Sequence, residues 1–218
     1  MTTQQELLDT LALVARALGN GHRLALLERM AQAEASVDSL ASSTGLTVGN
    51  ASQHLQQLRR AGLVTASRSG KQMIYRLTDE RIITVLSLLR QVAETNLAEM
   101  ERLVSRLFSD DDADGPLERV SRNELLAGLE SGKVALLDVR PVEEFRAGHM
   151  PEAINIPLEQ LEAMLEKLPP DKEIVAYCRG PYCALSHEAV QRLRELGYQV
   201  RRFEEGFPEW KAAGLPVQ

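Results

Sequence analysis

The sequence predicts two folds in series. The N-terminal half is mostly helical and carries one β-hairpin; the C-terminal half is α/β with a mostly parallel central sheet. Three observations predict this. Up to residue 108, apolar side chains recur at helical spacing between Gly-containing turns. The run Ser109-Asp110-Asp111-Asp112-Ala113-Asp114-Gly115-Pro116 offers four acids, a Gly-Pro and almost nothing to bury, so it reads as a linker. Beyond it, short strand-like runs alternate with helical segments, the pattern of a parallel sheet with crossover helices. The expected domains are therefore 1–108 and 117–218, joined by 109–116.

In the first half, Leu7, Leu8, Leu11, Val14 and Leu18 place a first helix before Gly19-Asn20-Gly21. A second runs from Arg23 to Met30, and a short third from Val37 to Ser43 stops near Gly45. Thr47 offers an N-cap for a fourth helix, which Gly62 terminates near Ala61. Leu63 to Arg68 and Gln72 to Leu77 flank Ser69-Gly70-Lys71 as a β-hairpin. One long helix from about Asp79 to Phe108 follows, with Ile82, Leu86, Leu89, Ala93, Leu97, Met100, Val104 and Leu107 in a stripe.

Helix, turn, helix and basic hairpin make a winged helix-turn-helix pattern. In the fourth helix, Val48, Ala51, Leu55 and Leu58 fall on one face to pack inward, leaving Thr47, Asn50, Gln53, His54 and Gln57 largely on another. Amide and hydroxyl groups read base edges in a major groove. His54 is open to two readings, as a core histidine or as a base reader. The chain carries a net charge of −6, yet its first 108 residues are +2 and the remainder −8, and residues 47–76 hold five basic residues and no acid. That is the footprint expected of a polyanion-binding surface. Arg68 and Lys71 would bring charge to phosphates from the wing.

The stretch Ser52-Gln53-His54-Leu55-Gln56-Gln57-Leu58-Arg59-Arg60-Ala61-Gly62-Leu63-Val64, with Arg68-Ser69-Gly70-Lys71 and Tyr75-Arg76-Leu77, resembles the ArsR/SmtB family of winged-helix repressors over about residues 5–105. The resemblance implies a homodimer closed by the first and last helices, double-stranded operator DNA as partner, and release of that DNA by an inducer. Thr47, Asn50, Ser52, Gln53, His54, Gln57, Arg59, Arg68 and Lys71 are the expected contacts. Members that sense metals do so with cysteine pairs on the third helix or with His and acids on the last. Here the third helix has no cysteine and the last has no His, and soft metals require such ligands. No resident cofactor or metal is expected.

In the second half, strand-like runs at 134–137, 154–156, 173–177 and 199–203 alternate with helical segments near 122–130, 141–147, 158–168, 184–196 and 207–213. Both cysteines of the chain lie in Tyr177-Cys178-Arg179-Gly180-Pro181-Tyr182-Cys183-Ala184, directly after a strand signal and before a helical one. Ligands of parallel sheets bind beyond the carboxyl ends of strands. A helix N-terminus there lowers a thiol pKa. Two such close cysteines suggest redox, catalytic or metal chemistry rather than a disulfide framework.

Leu137-Asp138-Val139-Arg140 with Glu144-Phe145, Gly148-His149-Met150-Pro151-Glu152-Ala153, and Glu205-Gly206-Phe207-Pro208-Glu209-Trp210 complete a second resemblance, to a single rhodanese domain over about 117–218. It implies that Cys178 is the sulfur-accepting thiolate, with a sulfane-sulfur donor such as thiosulfate, polysulfide or persulfide as partner. Backbone N–H groups of Arg179, Gly180, Tyr182, Cys183 and Ala184 can cradle an anionic sulfur, whereas Pro181 has none. Arg179 either attracts the anionic donor or is an ordinary surface residue. Asp138, Arg140, Glu144 and His149 read as caps and ion pairs around the loop. The loop departs from the common pattern, since Pro181-Tyr182 fills its middle and Cys183 ends it. Cys183 is either a small buried hydrophobe or a thiol that attacks a persulfide on Cys178. In the second case extra sulfur atoms would span a gap too long for a direct disulfide.

These expectations combine into a cytoplasmic, homodimeric transcriptional repressor that senses reactive sulfur through Cys178 and Cys183. Two alternatives stay open: a sulfurtransferase with autoregulatory DNA binding, and an arsenite or soft-metal sensor using Cys178, Cys183 and His187. The sequence has no apolar run of the ~20 residues that a membrane span needs and no signal-peptide pattern at its start.

Overall fold

The computed structural model describes residues 2–108 and 118–218; the stretch read as a linker, 109–116, lies outside the described residues. The chain forms two compact units, Met1–Leu86 and Ser87–Gln218.

The first unit contains α1 (Thr3–Leu18), α2 (Gly21–Gln32), β1 (Ala35–Ser36), α3 (Val37–Thr44), α4 (Val48–Arg60), β2 (Val64–Ser69), β3 (Gln72–Leu77) and the first turns of α5 (Arg81–Asn96). Each of the first four helices starts at a polar cap: Thr2, Asn20, Ser36 and Thr47 accept from the backbone N–H three residues on. The Asn20 cap explains why α2 begins earlier than its apolar pattern. Leu26, Leu27, Leu40, Leu55 and Leu58 are fully buried, and Tyr75 and Ile82 join them in one core. β2 and β3 pair antiparallel from Val64↔Leu77 to Ser69↔Gln72, with Gly70 at φ 59° in the tight turn. The two-residue β1 adds to β3, a strand too short to leave a periodic signal in the sequence.

The second unit holds the rest of α5, then α6 (Ala98–Leu107), β4 (Arg119–Val120), α7 (Arg122–Glu130), β5 (Val134–Asp138), α8 (Val142–Ala147), β6 (Ile154–Asn155), β7 (Glu173–Cys178), α9 (Ala184–Glu195), β8 (Val200–Gly206) and α10 (Phe207–Ala212). The five strands are parallel, in the order β4-β8-β7-β5-β6. Alternation along β7 feeds two cores. Ile174, Ala176 and Cys178 face one with Leu137, Ala189 and Leu193; Val175 and Tyr177 face the other with Leu136, Phe203 and Trp210.

Two expectations are corrected. The single helix over 79–108 is two, because Leu97 is extended (φ −115°, ψ 104°) and Met100 N–H restarts the ladder on the Leu97 carbonyl. Glu99 and Glu101 in the first turn suit a new helix N-terminus there. The segment 158–168 is not α-helical: it makes 3₁₀ turns at Leu158–Gln160 and Glu162–Lys167, bounded by Pro157 and by Pro169-Pro170. Among the described residues, no helix is long and apolar enough to cross a membrane.

Candidate functional site

The helix α4 buries Ala51, Leu55 and Leu58 and leaves Asn50, Gln53, Gln57 and Arg59 exposed, with Ser52 and His54 half-buried. Val48, expected to point inward, is 45% exposed, because the first turn of α4 precedes the packed part of the helix. The Thr47 hydroxyl accepts from Asn50 N–H at 3.3 Å, so its place in the candidate interface is that of a helix cap. Gln57 is held from behind. Arg23 donates to its Oε1 at 2.6 Å and to the carbonyls of Arg16 (2.8 Å) and Ala17 (2.5 Å) at the end of α1. The His54 ring lies 5.6 Å from that of His22, with its Nδ1 buried and without a hydrogen bond among the described residues. Burial first, then the charges of Arg23 and His22, hold its pKa below the ordinary 6.5. On the wing, Arg68 donates to the Gly70 carbonyl at 3.1 Å, and Lys71 is exposed at the tip.

The sulfur loop begins where β7 ends. Between the pairs Ala176↔Arg202 and Cys178↔Gly206, β8 carries two more residues than β7, a bulge beside the cysteine. Every residue between the two cysteines is then held from outside the loop. Arg179 makes a bidentate pair with Glu144 (Nε–Oε2 2.9 Å, Nη2–Oε1 2.8 Å), so the guanidinium is engaged by a carboxylate. Gly180 lies directly on Gly206. A Cβ on Gly206 would sit 2.5 Å from Gly180 Cα and 2.6 Å from the Arg179 carbonyl carbon, so only glycine lets the two backbones meet. Arg202 Nη2 donates to the Pro181 carbonyl at 2.6 Å, and the Tyr182 hydroxyl donates to Glu94. Within the loop, Cys183 N–H donates to the Gly180 carbonyl at 3.1 Å, which removes it from the set of amides expected to cradle an anion. Ala184 opens α9 and is exposed.

The Cys178 and Cys183 sulfurs are bonded to each other, with Cα atoms 6.3 Å apart. That span lies inside the range of a direct disulfide, so no extra sulfur is needed to bridge the loop, contrary to the sequence expectation. Cys178 is 1% exposed, and Cys183 is half-buried against the same core. The ring of His187, the third member of the conceivable metal set, lies 5.1 Å from that of Phe108. Among the described residues, no group of three or more His, Cys, Asp or Glu is placed to hold a metal ion.

Two arginines of this unit are buried in opposite ways. Arg140 and Asp138 are fully buried as a bidentate pair, and Arg140 also donates to the Gly148 carbonyl at 2.8 Å. Arg202 is 2% exposed; among the described residues it has no carboxylate partner and its Nη1 makes no hydrogen bond. Burial, and secondarily the charge of Arg119, pull its pKa down to about 10. Glu209 is also buried. It accepts from Gly206 N–H at 3.1 Å and faces Arg90 at 3.3 Å, and burial raises its pKa against the pull of that arginine. Sequence reasoning did not single out Gly206, Glu209, Arg202, Arg90 or Glu94 for the site. The Glu205-Gly206-Phe207-Pro208-Glu209 motif carried the signal for two of them.

Comparison with known proteins divides the chain as the fold does. Residues 20–66 match the family model of bacterial regulatory proteins of the arsR family, and residues 121–213 match that of the rhodanese-like domain. Human thiosulfate:glutathione sulfurtransferase is 35% identical over 42% of this chain and 90% of its own length. The homodimeric winged helix-turn-helix DNA-binding domain of Mb0332 from Mycobacterium bovis is 37% identical over 45% of this chain and 92% of that one, with a TM-score of 0.42. The HTH-type transcriptional regulator Rv0324 of Mycobacterium tuberculosis is 43% identical over 97% of this chain and 91% of its own length. The chain is thus a transcriptional regulator of the ArsR family, with an ArsR-type helix-turn-helix domain followed by a C-terminal rhodanese domain.

Proposed function

We propose that this regulator is a cytoplasmic, homodimeric repressor that responds to sulfane sulfur through Cys178 and Cys183. The observation that carries the reading is the sulfur–sulfur bond in the loop at the carboxyl end of β7, in a chain whose other half is a DNA-binding unit with no thiol. The winged-helix part, taken through residue 108, would hold operator DNA with Asn50, Ser52, Gln53, Gln57 and Arg59 of α4 and with Arg68 and Lys71 of the wing. His54 and Thr47 set the helix that carries them. Leu7, Leu8 and Leu11 on α1 and Leu88, Leu89 and Val92 on α5 are exposed apolar side chains, which suits burial against a second copy.

The chemistry is a thiolate exchange. The Cys178 thiolate attacks the sulfane sulfur of thiosulfate; the S–S bond breaks, its electron pair leaves with sulfite, and Cys178 becomes a persulfide. The Cys183 thiolate then attacks Cys178 Sγ, the outer sulfur departs as hydrosulfide, and the disulfide closes. When a polysulfide leaves two sulfurs on Cys178, attack on the inner one releases hydrosulfide and closes a trisulfide. The N-terminus of α9 favours the anionic sulfur at both cysteines.

The test is to reduce the protein, treat it with polysulfide, map added sulfur on Cys178 and Cys183 by mass spectrometry, and measure binding to a duplex selected from a random-sequence pool. Sulfur on the cysteines with weakened DNA binding, both lost in Cys178→Ser, is the expected result. Sulfur uptake with unchanged DNA binding sinks the sensor reading. The likeness to sulfurtransferases favours a second reading, a turnover enzyme. Steady multiple turnover with thiosulfate and glutathione supports it, and a single-turnover burst supports sensing.

A further inference from the structure

The helix α5 crosses from one compact unit into the other. Its first turns bury Ile82 and Ile83, Ile82 within the winged-helix core, and from Ser87 onward it belongs to the unit that holds the sulfur loop. There Arg90 and Glu94, four residues apart and so on one helix face, both reach that loop. Arg90 Nη2 is set by the Ser87 hydroxyl at 2.7 Å and meets Glu209 Oε1 at 3.3 Å, with the two side chains only 14% and 9% exposed. Its guanidinium carbon stands 5.6 Å from the centre of the Tyr182 ring. Glu94 accepts from the Tyr182 hydroxyl. Glu209 in turn holds Gly206 N–H at 3.1 Å, and its carboxylate oxygens lie 3.8 Å from the position of a Cβ on Gly180.

We propose that Arg90 and Glu94 form a latch by which α5 reads the length of the sulfur bridge between Cys178 and Cys183. The latch grips the loop on both sides of Pro181, under Gly180 through Glu209 and at Tyr182 directly, and neither contact touches a sulfur atom. A buried ion pair is a weak device for stability but a good one for fixing a single geometry. Only four residues separate the cysteines, and Arg179 is pinned to Glu144. Each inserted sulfur lengthens the bridge by about 2 Å, so with Arg179 pinned the displacement falls on Tyr182 and on Pro181, against its bond from Arg202. A hydroxyl–carboxylate hydrogen bond does not survive a shift of that size. A trisulfide therefore releases Tyr182 from Glu94 and Arg90, while the direct disulfide keeps it.

The sulfur-dependent part of this inference rests on the sulfur-accepting reading of Cys178; the latch contact itself does not, and the experiment separates them. Amide hydrogen exchange of 87–96 is followed in full-length protein oxidised to the disulfide with diamide, and in protein treated with polysulfide, with sulfur on the cysteines counted by mass spectrometry. In the disulfide form, Glu94→Ala raises exchange across 87–96 about tenfold, the effect of losing one charged hydrogen bond. Glu94→Gln, which keeps an acceptor, restores most of the protection. Alanine is the best helix former, so faster exchange in Glu94→Ala is not a loss of propensity. Unchanged protection in Glu94→Ala overturns the latch, whatever the sulfur does. In polysulfide-treated wild type, added sulfur with about tenfold faster exchange over 87–96 supports the coupling. Glu94→Ala then takes up the same sulfur with no further change. Added sulfur without a change in wild-type exchange overturns the coupling, and the absence of added sulfur overturns the sulfur-accepting reading.

Discussion

The recognition face of α4 and the loop between Cys178 and Cys183 present their chemistry in opposite ways. On α4, Asn50, Ser52, Gln53 and Arg59 make no side-chain hydrogen bond within the described residues; they lie on a helix whose other face is packed. In the loop, Arg179, Gly180, Pro181 and Tyr182 each meet a specific group from another element. On the proposed function, the difference follows from what each would meet. A surface that binds a large polyanion can keep adaptable groups on a rigid helix and order them in the complex. A sulfur that must be attacked in line has to be positioned beforehand, because misplacement of about 1 Å is costly to reaction. Substitutions on the face should therefore alter affinity and spare stability, whereas substitutions under the loop should alter both.

The largest effect tests the buried charges of the unit that carries the loop. Asp138→Ala leaves Arg140 buried without its carboxylate, and should destabilise the second unit by about 3–5 kcal/mol, measured by urea unfolding of the full chain. A loss below about 1 kcal/mol would mean that the Gly148 carbonyl and the neighbouring rings satisfy the guanidinium unaided, and the loop would then not depend on its buried charges. Next comes Gly206→Ala. Its methyl group would meet the Gly180 and Arg179 backbone, which forces the loop off β8 at about 1–3 kcal/mol. After reduction, Cys178 in this variant should be alkylated faster than in wild type, because its cover has lifted.

What the sequence made legible follows the same division. The exposed polar face of α4 could be read from residue types at helical spacing, since helix periodicity alone decides which of Gln53, Leu55 and Leu58 point inward. The α/β alternation, the hairpin and the position of Cys178 at the end of a strand were legible for the same reason: they are local. Arg202, Glu209, Arg90 and Glu94 were not, because their roles arise from contacts such as Arg90 to Glu209 and Tyr182 to Glu94 that join segments 119 and 88 residues apart. The break at Leu97 was hidden because the apolar stripe continues across it, with no Pro or Gly to mark the end of α5. The span of the cysteine bridge was misjudged because it depends on the turn closed by Cys183 N–H on the Gly180 carbonyl, a backbone feature that residue identities do not fix.

On the exposed face of α4, Gln53→Ala should leave unfolding within about 0.5 kcal/mol of wild type, as expected of an exposed side chain that makes no hydrogen bond among the described residues. It should weaken binding to the selected duplex about tenfold, the scale of one lost base contact. Gln57→Ala sharpens the contrast, because Gln57 is the member of the face that Arg23 ties to the end of α1. This variant should lose both affinity and some stability. Equal stability losses in the two variants would show that the Arg23 bond does not distinguish them.

The smallest effect is a pH dependence that runs in opposite directions on the two sides. Burial raises the pKa of Glu209 above its ordinary 4.5, and Arg90 only partly opposes this. In the window from 4.5 upward, the unfolded chain has released this proton while the folded chain still holds part of it. The folded state then binds more protons than the unfolded one, so the Glu209 contribution to stability is present at low pH and declines as pH rises through the folded value. Glu209→Gln removes the titration and should flatten this part of the stability-against-pH curve, even where loss of the Arg90 pair lowers stability at every pH. The recognition face offers the control. His54 has a lowered pKa, so its contribution is lost in the opposite direction, as pH falls below 6.5, and His54→Gln should flatten only that lower limb. Unfolding curves across pH 4 to 8 for the two variants separate the two regions. A wild-type slope unchanged in Glu209→Gln would place the penalty on another carboxyl of this unit, with Glu204, whose pKa is also raised, the first to test.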